Sequence, residues 1–347
     1  MYSSYDASSV VSASAAAKTI GAAAVATKGT ANKVELITSY EEGKSVFGED
    51  ASGVYGMSTL LRFLFANGAG AVKAVAVGKD ESEEKDYASA FAALSDEEDV
   101  GVMVCDSAAQ SVHLLLKTAA EDASAARRER IAVIGGSEET VAQMVNRAKA
   151  VNSERVVLVG PDIASDGGGT MSAVFAAAAV AGAIACGSDP AVPLNGAALY
   201  GIGSLQSAYS DNDIDLLVQG GVTPLEDVGG VVSPVRGITT RTKTGSTADA
   251  TWRELTTILI ADDVIPAVRS ALRSKFARAK NTAQGRGAIR AQTIVELEKK
   301  KDAQIIEDYG EVTVTASADD PTVCLVEFSF AVAHGLNQIH LAVHLTV

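Results

Sequence analysis

Three kinds of side chain in this sequence could carry chemistry. Ser172 stands where the run Gly167-Gly168-Gly169 leads into the small-residue stretch Ala173 to Cys186, so its hydroxyl could be offered as a nucleophile at the head of a helix. Acyl transfer by a serine needs a histidine base oriented by a carboxylate. His113 is the one histidine ahead of His334, and it lies in the helical run SVHLLLKTAAE with no catalytic motif around it. A Gly-rich turn leading to a close-packed helix is therefore the better reading of Ser172. Gly135-Gly136 ends the apolar run RIAVIGG and could bring backbone N–H groups to a phosphate. Neither a P-loop nor GxGxxG is present, so a turn is the simpler reading. His334, His340 and His344 are close together, and His340 and His344 share a strand face. No Cys, Asp or Glu completes a ligand set at metal spacing. The sequence thus assigns no catalytic, cofactor-binding or metal residue, and the chain is not read as an enzyme.

Charge is the more informative signal. The chain of 347 residues carries 29 Lys+Arg against 43 Asp+Glu, a net −14, which argues against a general nucleic-acid binder. Yet Arg269, Arg273, Lys275, Arg278, Lys280, Arg286 and Arg290 follow one another with no Asp or Glu between them. Arg269 and Arg273 are four apart and share a helix face. A solvated helix would explain this, but the segregation points to a basic surface for an acidic partner. Only Phe276 is interleaved, so stacking on nucleic acid is the weaker alternative.

The elements that must position these groups alternate. VELIT, AVKAVAV, VGVMVC, RIAVIGG and RVVLVGP read as strands, separated by helices over 55–66, 83–94, 107–126, 137–150 and 170–186, with Ser137 as an N-cap. Apolar strands spaced by helices predict a mostly parallel sheet covered on both faces. Residues 188–205 read as loop, 213–218 as the end of a short helix, 222–240 as a hairpin and 241–251 as a polar linker. Two helices, 252–280 and 286–307, and a strand-rich end complete the pattern. Residues 1–30, rich in Ser, Ala and Thr, show no clear period and read as an arm. At the other end Ile339, Leu341, Val343, Leu345 and Val347 alternate with polar or small residues, as in a strand with one apolar face. Hydrophobic residues make up 47% of the chain and aromatics 5%, with 31 Gly, so a large core must be built from small side chains. The three cysteines, Cys105, Cys186 and Cys324, read as reduced core residues. Phe175 to Cys186 is too short and Ala-rich to span a bilayer, and no secretory leader is expected.

Two family resemblances follow. Gly167 to Ala185 resembles the nucleophile region of subtilisin-like proteases, with the serine displaced along the chain. A hydrolase or an inactive relative using Ser172 is therefore the alternative. The ordered series VAGAIA…DPAVPLNGAAL (Val180 to Leu199), PVRGITT (Pro234 to Thr240) and TWRELTTILIADDVIPAVRSALRSKF (Thr251 to Phe276) resembles the tail sheath protein of contractile phage tails and phage-tail-like bacteriocins, including R-type tailocins. The resemblance implies an arm at 1–30, an α/β domain at 31–240, an α+β C-terminal domain at 241–337 facing an inner tube, and an arm strand at 338–347. It implies a structural subunit of stacked hexameric rings, whose contraction drives the tube through a cell envelope. Its partners would be further copies, a tube protein, and baseplate and terminator proteins, in a virion tail or related particle assembled in the host cytoplasm. No cofactor, nucleic acid or membrane insertion is implied. Strand exchange between subunits would fall to Val10, Val11, Ile339, Leu341, Val343, Leu345 and Val347, with Gly29 and Gly335 as hinges. The basic run would face the tube.

Overall fold

The computed structural model describes residues 18–78, 82–165 and 169–337. Its first half runs β1 (Thr19–Ala24), β2 (Val34–Ile37), α1 (Tyr40–Phe47), α2 (Met57–Ala66), β3 (Val72–Ala76), α3 (Glu83–Ser95), β4 (Val100–Cys105), α4 (Gln110–Ala125), β5 (Ile131–Gly135), α5 (Val141–Val151) and β6 (Val156–Gly160). There follow β7 (Ile163–Ser165), β8 (Thr170–Met171), α6 (Ala173–Cys186), β9 (Ile202–Leu205), α7 (Asp211–Gln219), β10 (Thr223–Val228) and β11 (Val231–Pro234). The remainder comprises β12 (Lys243–Thr244), β13 (Thr247–Ala248), α8 (Leu255–Phe276), α9 (Ala283–Asp302), β14 (Ile306–Tyr309), β15 (Thr313–Ala316), β16 (Cys324–Glu327) and β17 (Phe330–Val332). Among the described residues no helix is long and apolar enough to cross a membrane.

Eight strands form one sheet in the order β11-β10-β6-β5-β4-β1-β3-β2. The pairings from β10 to β3 are parallel, and β11 and β2 close the two edges antiparallel. This is the expected α/β layer, a mostly parallel sheet with helices on both faces. One expectation fails at its centre. Residues 19–24, read as part of an unstructured arm, form β1 between β3 and β4, with Ala22 opposite Ala74 and Val104. A strand buried on both faces has no polar alternation to betray it, and TIGAAA has almost no side-chain bulk.

Alternate residues of each strand feed two cores. Val102, Val104, Ile131, Val133, Val157 and Val159 face α2 and α6. Met103, Cys105, Ala132, Ile134, Val156 and Leu158 face α3, α4, α5 and α7. The small-residue helix α6 is buried along almost its whole length, and glycines let it come close to its neighbours. A Cβ on Gly135 would lie 2.2 Å from the Ala173 carbonyl group, and one on Gly182 would lie 2.8 Å from the Leu64 carbonyl oxygen. Two helix starts beside the sheet are fixed by side chains. Thr140, not Ser137, caps α5 through a reciprocal box with Gln143, and the Asp162 carboxylate accepts from the Ala173 N–H at the head of α6 (2.7 Å).

A third core gathers Ile260, Val264 and Val268 of α8 with Leu297 of α9, Ile306 and Val312. The first turns of α8 instead place Leu255, Ile258 and Leu259 in the first core, so this helix is shared between the sheet and the C-terminal α+β region. Arg155, just before β6, grips Asp262 of α8 with two bonds of 2.8 and 3.0 Å, and Arg269 meets Glu129 at 2.7 Å. The pairs β14-β17 and β15-β16 are separate two-stranded sheets. The stretch read as a polar linker carries the β12-β13 hairpin. Of the three cysteines only Cys105 is a core residue; Cys186 is exposed at the end of α6 and Cys324 is half-buried on β16.

Candidate assembly surface

The histidine and the serine that could have done chemistry are not brought together. His113 on α4 is fully buried in the second core, whereas Ser172 heads α6 on the opposite face of the sheet. The His113 Nδ1 accepts from Arg147 (3.1 Å), and its Nε2–H donates to the Ser107 carbonyl (2.9 Å). Burial, with the Arg147 guanidinium alongside, pushes its pKa down to about 4. The imidazole is therefore neutral, with both nitrogens occupied, and it has no path to Ser172. At Gly136 the space a Cβ would fill is taken by the Glu139 carboxylate, which disfavours a phosphate there. Among the described residues no group of three or more His, Cys, Asp or Glu could hold a metal ion.

A doubly wound sheet offers a ligand crevice where the strand order reverses, at the carboxyl ends of its strands. Here that point lies between β1 and β4, and Asp106 fills it. Its carboxylate accepts from the Val25 N–H (2.9 Å) and from the Tyr87 hydroxyl. The residue keeps some surface, but its carboxyl is packed among protein atoms, and burial pushes its pKa up to about 6. The sheet therefore closes its own crevice.

The basic run divides between two roles. Arg269 pairs with Glu129. The Arg290 Nε donates to the Val312 carbonyl (2.7 Å), Arg286 to the Asn281 side chain (3.0 Å) and Lys275 to Gln292 (2.6 Å). Arg273, Arg278 and Lys280 are exposed around the α8–α9 turn, and their side chains have no hydrogen-bonded or ion-paired partner among the described residues. Arg273 and Lys275 also lie in the last turn of α8, where cations are favoured by the helix dipole. The turn thus presents unneutralised positive charge, while the flanking arginines fasten it to the subunit.

The two described ends of the chain meet at one cleft. A cavity of about 190 Å³ between the end of α6 and the start of α8 is lined by Lys18, Pro193, Asp262, Asp263, Gly335 and Asn337, among others. The Lys18 N–H donates to the Ala185 carbonyl (3.1 Å), and Asn195 donates to the Asn337 side-chain oxygen (2.8 Å). Gly335 lies against Pro193, whose Cγ would be 2.9 Å from a Cβ. On the same segments Val192 and Leu336 are 61% and 71% exposed. Gly29, proposed with Gly335 as a hinge, falls instead between β1 and β2. Both flanking strands are fixed in the sheet, so Gly29 is a turn glycine with φ +99° against Phe47. Val10, Val11, Ile339, Leu341, Val343, Leu345 and Val347 lie outside the described residues, as do His340 and His344. The sequence reading missed Lys18, Arg155 and Asp262. The signal available was Asp262-Asp263 set inside the apolar run ILIADDVIP.

Comparison with known proteins gives the family of the chain. The phage tail sheath protein central domain matches residues 80–240, and the phage tail sheath C-terminal domain matches residues 247–346. The chain belongs to the phage tail sheath family. The tail sheath protein of Bacillus phage SP01 is 30% identical over 224 residues, which take in 63% of this chain and 38% of that relative. The chain therefore matches well under half the length of that protein. A chain from the cryo-EM structure of the anti-feeding prophage baseplate, 6-fold symmetrised, superposes with a TM-score of 0.76 at 16% identity, covering 100% of this chain and 98% of that one. The anti-feeding prophage helical sheath in its contracted state gives 0.72 at 14% identity, covering 99% and 98%. At these identities the likeness establishes a shared fold.

Proposed function

We propose that this protein is the sheath subunit of a contractile tail. Copies stack as six-fold rings around an inner tube, and rearrangement of their lattice drives the tube through a target envelope. The observation that carries the reading is the end-to-end likeness of the fold to a helical sheath in a contracted state, together with family matches over most of the chain. In this reading the energy resides in contacts between copies, so no nucleotide or metal is needed. The subunit works in a virion tail or related particle assembled in the host cytoplasm, alongside baseplate and terminator proteins.

Two surfaces carry the assembly. Val10 and Val11 at one end, and Ile339, Leu341, Val343, Leu345 and Val347 at the other, add strands to neighbouring copies, because an extended segment completes its hydrogen bonds on an open sheet edge. The small sheets β14-β17 and β15-β16 offer such edges, and Gly335 lets the last segment change direction. The exposed Arg273, Arg278 and Lys280, with Lys275 beside them, face an acidic tube. Charge attraction steers this contact without demanding a fixed side-chain fit. The test is a chain lacking residues 338–347, imaged by negative-stain electron microscopy beside the full chain. A folded subunit that forms no tubes agrees with the proposal, and normal tubes refute strand exchange at that end.

A further inference from the structure

Past Pro266 the α8–α9 hairpin carries the cationic turn, and most of its polar side chains bond within the C-terminal region. Lys275 donates to Gln292 across the hairpin, Arg286 to Asn281 in the turn, and Arg290 to the Val312 carbonyl. Arg269 alone reaches out of that region, to Glu129 between α4 and β5 at 2.7 Å. Among the described residues this is the one hydrogen-bonded or ion-paired tie between the hairpin beyond Pro266 and the sheet with its helices. It is also the one pair in which a carboxylate neutralises a member of the basic run.

Helix α8 is anchored firmly ahead of Pro266 and lightly behind it. Ahead, Leu255, Ile258 and Leu259 are buried in the first core, and Arg155 holds Asp262 with two bonds. Pro266 has no N–H for the Asp262 carbonyl four residues back, so the helix lacks a backbone rung at that place. Behind it, Val268 and Leu272 pack in the third core with Ile294 of α9, so the hairpin keeps its own packing. The pair that fastens it to the sheet leaves Arg269 36% exposed. Water and salt reach such a pair, and it is weakly held. Arg269 also shares a helix face with the unpaired Arg273.

We propose that Glu129 is an internal stand-in for an acidic partner. It latches the cationic turn toward the sheet through Arg269. An acidic surface that meets the turn takes Arg269 over and lets the hairpin swing about Pro266. The chemistry of the partner rests on the assembly reading, but the latch and the pivot belong to the single chain and are tested there. From Pro266 to Ala277, the C-cap, α8 rises about 16 Å, so a swing of about 20° carries the turn about 6 Å.

The experiment is a pulsed electron-resonance distance measurement on the full chain. Spin labels are carried by the exposed Cys186 and by Ala277→Cys, with Cys324→Ser; Cys105 is buried and takes no label. This protein is expected to give one narrow distance. Glu129→Ala is expected to broaden the distribution or shift it by about 6 Å. Exchanging the charges, with Arg269→Glu and Glu129→Arg, rebuilds the pair and is expected to restore the narrow distance. Adding Pro266→Ala to Glu129→Ala returns the missing backbone bond and is expected to narrow the distribution. Poly-L-glutamate, added at low ionic strength to the protein that keeps Glu129, is expected to reproduce the Glu129→Ala distances. Distances unchanged by Glu129→Ala, or a broadening that the charge exchange does not reverse, would overturn the latch. A distribution that stays broad with Pro266→Ala would overturn the pivot, and one that poly-L-glutamate leaves unchanged would overturn the acidic partner. If Glu129→Ala does not fold, Arg269→Ala takes its place with the same expected and overturning results. Because no polymer is involved, failure here leaves the sheath assignment standing.

Discussion

Replacing Asp106 by Asn isolates the carboxyl that plugs the sheet's crevice. The pKa of Asp106 is raised from 3.8 to about 6 by burial, against the opposing bonds from Tyr87 and Val25. Folding therefore favours the protonated form. That contribution is present in full below pH 3.8 and is lost as pH rises through 6. Once ionised, the buried carboxylate costs about 3 kcal/mol relative to its neutral form. Between pH 5 and pH 7.5 the parent should lose about 1.4 kcal/mol that the variant keeps, from the same linkage. Asn is a fair probe because its amide oxygen can accept from Val25 while its NH₂ donates to a Tyr87 hydroxyl turned to accept. Asp50, Glu83, Cys105 and Tyr87 also surround the site, and they remain in both proteins. Urea denaturation of parent and variant at pH 5 and 7.5 measures the difference directly. Stability differences that are equal at the two pH values would refute the assignment of a raised pKa to a plugged crevice.

Other substitutions test other links. Gly182→Ala puts a Cβ 2.8 Å from the Leu64 carbonyl oxygen. The helix-propensity gain of roughly 1 kcal/mol is expected to be outweighed by roughly 1–3 kcal/mol of overpacking, giving a lower melting temperature. Asp262→Ala strands the Arg155 guanidinium, which is only 14% exposed, and should cost about 3–5 kcal/mol by chemical denaturation; Arg155→Met with Asp262→Leu should recover most of it. Arg273→Glu with Arg278→Glu should lower stability by only about 1 kcal/mol, because both side chains are unpaired at the surface and the cost is the reversed charge of Arg273 at the C-terminal end of α8. The same pair should weaken tube binding in co-sedimentation, with a loss that depends on salt.

The parallel sheet was legible wherever a strand carried branched apolar side chains. VGVMVC was placed over 100–105, as found, because charged and polar residues bound it on either side. TIGAAA was hidden because the middle of this sheet, under a close-packed α6, takes residues too small to form a pattern. Helix α1 was missed because Gly43 interrupts its sequence. The glycine is there for packing, since a Cβ would stand 2.5 Å from the Leu61 Cδ1. The basic run could be read as a run, but its division could not. Glu129, which neutralises Arg269, is 140 positions earlier in sequence, and Arg290 is held by a backbone carbonyl that no side-chain pattern reveals. Lys18 escaped notice for a related reason: it comes to line one cleft with Asp262 and Asp263 only when α8 packs against the sheet.

Negative-stain microscopy of the purified full chain over a range of concentrations, paired with sedimentation velocity, tests the central claim most directly. Rings, tubes or striated sheaths that grow with concentration are the predicted result. A particle that stays a compact monomer at every concentration, with both ends protected from proteolysis, would contradict it.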